Sequence, residues 1–120
     1  MGASVLIVDD HSGFRALARR MLENEGYRIV GEAGDAASAI DAARALEPEL
    51  ALVDVYLPDG TGFEVASRLG ALDAAPDVVL TSSHDGADFE RCVAECGARG
   101  FVPKAELSRE AIEVLLVRSR

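Results

Sequence analysis

The sequence predicts an α/β fold, a parallel sheet with helices on both faces, and three observations carry that prediction. Short apolar runs alternate with segments of helical period along the chain. Several runs are continuously apolar, as strands buried on both faces are. A helical segment follows each run, which is the crossover a parallel pair requires. At 120 residues, with no internal linker or repeat, residues 1–120 are expected to form one domain.

The run SVLIV (4–8) is the first strand. From Ser12 to Glu25, Phe14, Leu17, Ala18, Met21 and Leu22 recur at helical spacing, and Gly26 stops the helix. YRIVGEA (27–33) is the second strand. Asp35 caps a helix through AASAIDAARALE, closed by Pro48. LALVDV (50–55) is the third strand, followed by the loop YLPDGTG and the helix FEVASRLGAL (63–72). DVVLTSS (77–83) is the fourth strand, and GADFERCVAECG (86–97) its helix, ending at Gly97. RGFVP (99–103) is the short fifth strand. Ser108, with Glu110 and Glu113 behind it, starts a last helix carrying Ile112, Leu115 and Leu116.

Composition narrows the function. Hydrophobic residues make up 49 % of the chain without any Trp, so the core must be aliphatic. The net charge of −9, from 21 acidic and 12 basic residues, argues against direct nucleic-acid binding, which needs clustered Lys and Arg. No apolar run approaches the ~18 residues of a membrane span. MGASVLIVDD lacks the basic region and cleavage site of a signal peptide, and Leu6 stands where a myristoylation pattern needs Ser or Thr. Cys92 and Cys96, four apart on one helix, read as two half-buried thiols, because no further Cys or His has metal-ligand spacing. A reducing, cytoplasmic setting is expected.

The chemistry gathers at one edge. Ligands of open parallel sheets bind beyond the carboxyl ends of the strands, where the strand order switches. Asp9 and Asp10 follow the first strand, and Asp54 ends the apolar core of the third. If those strands are neighbours, three carboxylates crowd one spot and repel. A divalent cation relieves that repulsion, and magnesium, which takes oxygen ligands and keeps several waters, is the natural choice. The balance left over is one negative charge, which Lys104 beyond the fifth strand is placed to cancel. The fourth strand ends in Thr81, Ser82 and Ser83, hydroxyl donors at the same rim. Cation, ammonium and hydroxyl together suit phosphoryl transfer, where catalysis is mostly positioning and charge neutralisation.

Along essentially its full length, the chain resembles the receiver domain of two-component response regulators. VLIVDDHSGFR resembles that family's first strand, acidic pair and helix start; LVDVYLPDGTGFEVASRL its phosphoacceptor strand and loop; CGARGFVPKAEL its Gly-Ala, aromatic and Lys segment. The resemblance implies a flavodoxin-like five-stranded sheet of order 2-1-3-4-5. It implies that Asp54 accepts a phosphoryl group from a histidine kinase or phosphotransfer protein. Asp10, Asp54 and the main-chain carbonyl of Tyr56 would ligate Mg²⁺, Asp9 would act through water, and Lys104 would pair with the phosphoryl group. Phe101 would be the aromatic that reorients, altering the face made by the fourth helix, fifth strand and fifth helix. For the switch hydroxyl, Thr81 fits the apolar pattern, whereas Ser82 fits the spacing: Gly97 and Lys104 follow it by 15 and 22 positions. Many receivers carry Pro after the lysine; here Pro103 precedes it, so the fifth strand should end early or lie at an edge.

His11 and His84 do not resemble the phosphoryl-donor histidine, which belongs to a partner. His11 borders the acidic pair, where it could tune metal access, but reads first as an exposed loop residue. Three other functions compete. A receiver-like interaction module working without phosphorylation would be free to lose part of the Asp9, Asp10, Asp54 and Lys104 set. A magnesium-dependent phosphohydrolase would carry a second acid two residues after Asp54, where Tyr56 stands. A nucleotide- or flavin-binding domain would need a Gly-rich turn after the first strand, and DDHSGF holds one glycine. The chain is expected either to act alone or to serve an output domain or downstream protein; the apolar run Leu115, Leu116, Val117 of the last helix fits a homodimer formed on phosphorylation and fits docking onto the sheet equally.

Overall fold

The computed structural model describes residues 2–83 and 89–118. Its central sheet contains β1 (Ser4–Val8), β2 (Arg28–Ala33), β3 (Leu50–Asp54), β6 (Asp77–Ser82) and β7 (Gly100–Pro103), all parallel, in the order β2-β1-β3-β6-β7. Numbered by the central strands alone, that is the 2-1-3-4-5 order. The direction of strand addition reverses between β1 and β3, and their carboxyl ends bear the acidic residues.

Both faces of the sheet are covered, which is why the strands read as continuous apolar runs. Val5, Ile7, Leu50, Leu52 and Val79 point to one face, beneath α1 (Ser12–Asn24) and α5 (Arg109–Arg118), meeting Ala18, Leu22 and Ile112. Leu6, Val8, Ala51, Val53 and Leu80 point to the other. There they meet Ala39, Ile40 and Ala43 of α2 (Ala36–Leu46), Val65, Ala66 and Leu69 of α3 (Gly62–Gly70), and Cys96 of α4 (Glu90–Cys96). The predicted start of the fourth helix, 86–88, and His84 lie outside the described residues. Among those described, no helix is long and apolar enough to cross a membrane.

Helix ends follow the sequence closely. Asp35 Oδ1 accepts the Ser38 N–H at 2.8 Å, and Ser108 Oγ accepts the Ala111 N–H at 3.0 Å. Gly97 ends α4 with φ +83°, the left-handed region that glycine enters without steric cost. Pro103 closes β7, the edge strand, where a missing amide leaves no ladder bond unmade, and a 3₁₀ turn follows at Lys104–Glu106.

Three local expectations need correction. The segment YLPDGTG is not simply a loop: β4 (Tyr56–Leu57) and β5 (Gly60–Thr61) pair antiparallel around Pro58 and Asp59. The third helix begins at Gly62 rather than Phe63, because Thr61 and Glu64 form a reciprocal capping box. The two cysteines are not alike: Cys96 is buried, with its thiol 3.3 Å from the Val93 carbonyl, whereas Cys92 is exposed.

Candidate functional site

Strand adjacency decides the site. Val8 pairs with Val53 across β1 and β3, so the residues that follow, Asp9 and Asp54, end side by side. Asp9 is fully buried and held from several sides. Its N–H donates to the Ala33 carbonyl at 2.9 Å, its own carbonyl accepts from the Arg15 guanidinium, and its Oδ1 accepts the His11 N–H at 2.8 Å. Arg15 also pairs with Glu32 at 3.0 Å, tying α1 to β2 behind the acidic pair. Asp54 is 5 % exposed and its Oδ1 accepts the Tyr56 N–H at 3.1 Å. Gly62 is needed here: a Cβ at that position would run into the Asp54 carbonyl, so β3 and the next helix can approach only through glycine.

Lys104 crosses the sheet edge from the end of β7. Its Nζ lies 2.6 Å from Asp9 Oδ2 and 3.2 Å from Asp54 Oδ2, and 4.2 Å above the Phe14 ring. Burial alone would lower its pKa, but hydrogen bonding and charge from Asp9 and Asp54 hold the ammonium above its ordinary value. Asp54 is pushed the other way from most paired acids. Burial raises its pKa and the Asp9 charge adds to this, outweighing the Tyr56 amide and Lys104, which lower it. One ammonium therefore leaves the cluster short of positive charge.

Asp10 is the open member of the pair, with its side chain 38 % exposed. It lines a cavity of about 310 Å³ together with His11, Asp54, Tyr56, Ser83 and Lys104. Ligand atoms of Asp9, Asp10, His11 and Asp54 all lie within 4.8 Å of one another, a group that could hold a metal ion. The donor set fits a hard divalent cation: two buried carboxylates, an exposed third, and too little charge from Lys104 to balance them. A second hollow, bounded by Ala43, Arg44, Leu72 and Asp73, lies at the opposite edge of the sheet and has no such convergence.

The hydroxyls and the aromatic separate by face. Thr81 is in register with Asp54, and its Oγ1 donates to the Val102 carbonyl at 2.7 Å, buried inside the sheet. Ser82, 1 % exposed, alternates to the other face, in line with Val78 and Leu80. Phe101 lies on that same face, its ring 5.5 Å from Phe89, which also meets Phe63 at 5.6 Å and Tyr56 at 6.1 Å, all edge-on. Sequence reasoning placed His11 beside the acids but read it first as an exposed loop residue; the return of its ring to Asp9 and Asp10 has no signature beyond its neighbours in sequence, and the role of Asp59 was missed. Asp59 accepts the Ala36 and Ala37 N–H groups at 2.7 and 3.1 Å, joining the loop after β3 to the start of α2.

Comparison with known proteins agrees with this architecture. The family model for the response regulator receiver domain matches residues 5–116. The transcriptional regulatory protein PdtaR of Mycobacterium tuberculosis is 38 % identical over 100 residues, covering 83 % of this chain and 48 % of PdtaR. The transcriptional regulatory protein YdfI of Bacillus subtilis is 34 % identical over 101 residues, covering 83 % and 47 %. This chain thus spans about half the length of those curated relatives. A two-component response regulator of the LuxR family from Aurantimonas sp. SI85-9A1 superimposes with a TM-score of 0.88 at 34 % identity, over 100 % of this chain and 89 % of that one. With the sheet order, the acidic edge and the bridging lysine in place, the chain belongs to the response regulator receiver domain family.

Proposed function

We propose that this domain, residues 1–120, accepts a phosphoryl group on Asp54 from a histidine kinase or phosphotransfer protein, with Mg²⁺, in the cytoplasm. The observation that carries this reading is the Asp54 carboxylate, buried at the floor of an open cavity, with Lys104 reaching it and Asp9 together. Asp10, Asp54 and the Tyr56 carbonyl would hold the ion, with Asp9 acting through water; the bound ion offsets the carboxylate charge and orients the incoming phosphoryl oxygens. An Asp54 oxygen attacks phosphorus as the P–N bond to the donor imidazole breaks, and the departing nitrogen takes a proton. The Tyr56 amide, on Oδ1, keeps the carboxylate turned toward the cavity while Lys104 meets the new negative charge.

Ser82 is the better switch hydroxyl. Ser82 has the spacing to Gly97 and Lys104 and shares its face of the sheet with Phe101, whereas Thr81 lies on the other face. A hydroxyl drawn toward the phosphoryl group would pull the segment after β6 and let Phe101 leave its contact with Phe89. The face formed by α4, β7 and α5 would then change its population of states, which is how a local charge becomes a signal. The named relatives are transcriptional regulators about twice as long, which supports an output domain or a downstream regulatory partner as the reader of that face. Dimerisation on phosphorylation would use the same surface.

Intact mass after incubation with a small-molecule phosphodonor tests the reading, with and without Mg²⁺, on the wild type and Asp54→Asn. One Mg²⁺-dependent phosphoryl adduct, lost in the variant, is expected. Mg²⁺ binding without any adduct would leave a receiver-like interaction module that works without phosphorylation.

A further inference from the structure

His11 is a polar group at the acidic edge that the phosphoacceptor reading does not use. Its side chain is 72 % exposed, so packing does not hold it in place, yet Nδ1 lies 3.3 Å from Asp9 Oδ1 and 3.1 Å from Asp10 Oδ1. The backbone explains this return. The His11 N–H donates to the same Asp9 Oδ1 at 2.8 Å, folding the chain back so that ring and carboxylates face one another. As the N-cap residue of α1, His11 makes no side-chain capping bond, so the ring has no helix-terminating role.

The two His11 contacts have the spacing of neighbours in one coordination shell. Donors about 2.1 Å from a common ion sit roughly 3–4 Å from one another. The four ligand atoms, three carboxylate oxygens and an imidazole nitrogen, lie within 4.8 Å of each other. Lys104 already meets the inner Asp9 and Asp54 oxygens, at 2.6 and 3.2 Å, and Asp10 and His11 join Asp54 and Tyr56 in lining the cavity.

We propose that His11 is a nitrogen ligand of the divalent-cation centre and biases that centre toward first-row transition ions over Mg²⁺. The inference rests on the reading of the carboxylate cluster as a cation centre. Mg²⁺ takes oxygen and gives up its waters reluctantly, so an imidazole adds little to its binding. Transition ions gain from nitrogen ligation, and a neutral imidazole with its proton on Nε2 presents the Nδ1 lone pair to the ion.

The untagged full chain is loaded with Mn²⁺ and examined by pulsed electron paramagnetic resonance, beside His11→Ala and a wild type carrying ¹⁵N-histidine. The expected result is an imidazole ¹⁴N coupling in the wild type, replaced by a ¹⁵N pattern on labelling and absent in His11→Ala. Titrations should show Mn²⁺ affinity weakened about tenfold by His11→Ala, with Mg²⁺ affinity changed by less than about twofold. The chain holds two histidines, so His84→Ala, expected to keep the ¹⁴N coupling, assigns it to His11 even if His11→Ala fails to fold. Mn²⁺ bound equally by both chains through oxygen alone would overturn the role of His11 and leave the cation centre standing. A wild type that binds neither Mn²⁺ nor Mg²⁺ would overturn the cation centre itself, and the ligand role with it.

Discussion

At the scale of single residues, Tyr27 isolates one electrostatic effect from the rest of the molecule. It is 7 % exposed, lies 5.8 Å beneath the Arg109 guanidinium, and its hydroxyl makes no well-formed hydrogen bond, with Glu113 near enough to act on it. Burial, reinforced by the Glu113 charge and opposed by Arg109, pushes the phenol up to about 12. The unfolded chain releases this proton near the ordinary value of about 10, before the folded chain does. Above that pH the unfolded state binds fewer protons, so stability falls as pH rises from about 10 to about 12. Lys104 adds a loss in the same direction. Its raised folded pKa gives stability that is complete below the unfolded value and disappears as pH climbs through the folded one. Tyr27→Phe should therefore change stability at pH 7 by no more than about 1 kcal/mol, because the buried hydroxyl it removes is only weakly bonded. It should also flatten, without abolishing, the alkaline decline. Urea midpoints at pH 7 and pH 11 check both.

At the scale of elements, α2 shows what a sequence reveals of a helix and what it hides. Asp35 was readable as a cap because its partner, Ser38, is three residues away. Asp59 was not, because the two amides it accepts lie 23 and 22 positions back, brought near only by packing. Asp59→Ala should cost about 0.5–2 kcal/mol, the usual range for a lost cap, with faster amide exchange at Ala36 and Ala37. The other end of α2 carries strain. Glu47 terminates the helix at φ 47°, where a side chain crowds its own carbonyl, ahead of Pro48. Glu47→Gly should raise stability by about 1 kcal/mol, which urea unfolding would detect. The capping box of α3 was present in the sequence as TGFE, and only the position of the preceding two-residue strand obscured where that helix begins.

At the scale of the whole molecule, a cation bound as proposed would link the site to stability. Asp10 follows β1 and Asp54 ends β3, so an unfolded chain cannot present them to one ion. Mg²⁺ at a free concentration of ~100 Kd should stabilise the fold by about 2.7 kcal/mol. The increment should shrink for Asp10→Asn and vanish with a chelator, as urea curves with and without Mg²⁺ would show. An increment that persisted unchanged in Asp10→Asn would place the ion elsewhere.

By itself the sequence determined the strands, their double burial, most helix ends and the acids at the strand tips. All of these are local: a period of two or 3.6, a cap within three residues, a glycine after a helix. Only the tertiary structure decided what those residues do to one another. β1 and β3 are neighbours in register, so Asp9 meets Asp54, and the last central strand is the edge from which Lys104 reaches both. The same register turns Thr81 toward the Val102 carbonyl and Ser82 to the face that holds Phe101, a separation of faces that neither the apolar pattern nor the spacing states. The physical reason is that strand order and register are set by packing two apolar faces along the entire chain. A site assembled from residues up to 95 positions apart, Asp9 and Lys104, exists only once that packing is complete.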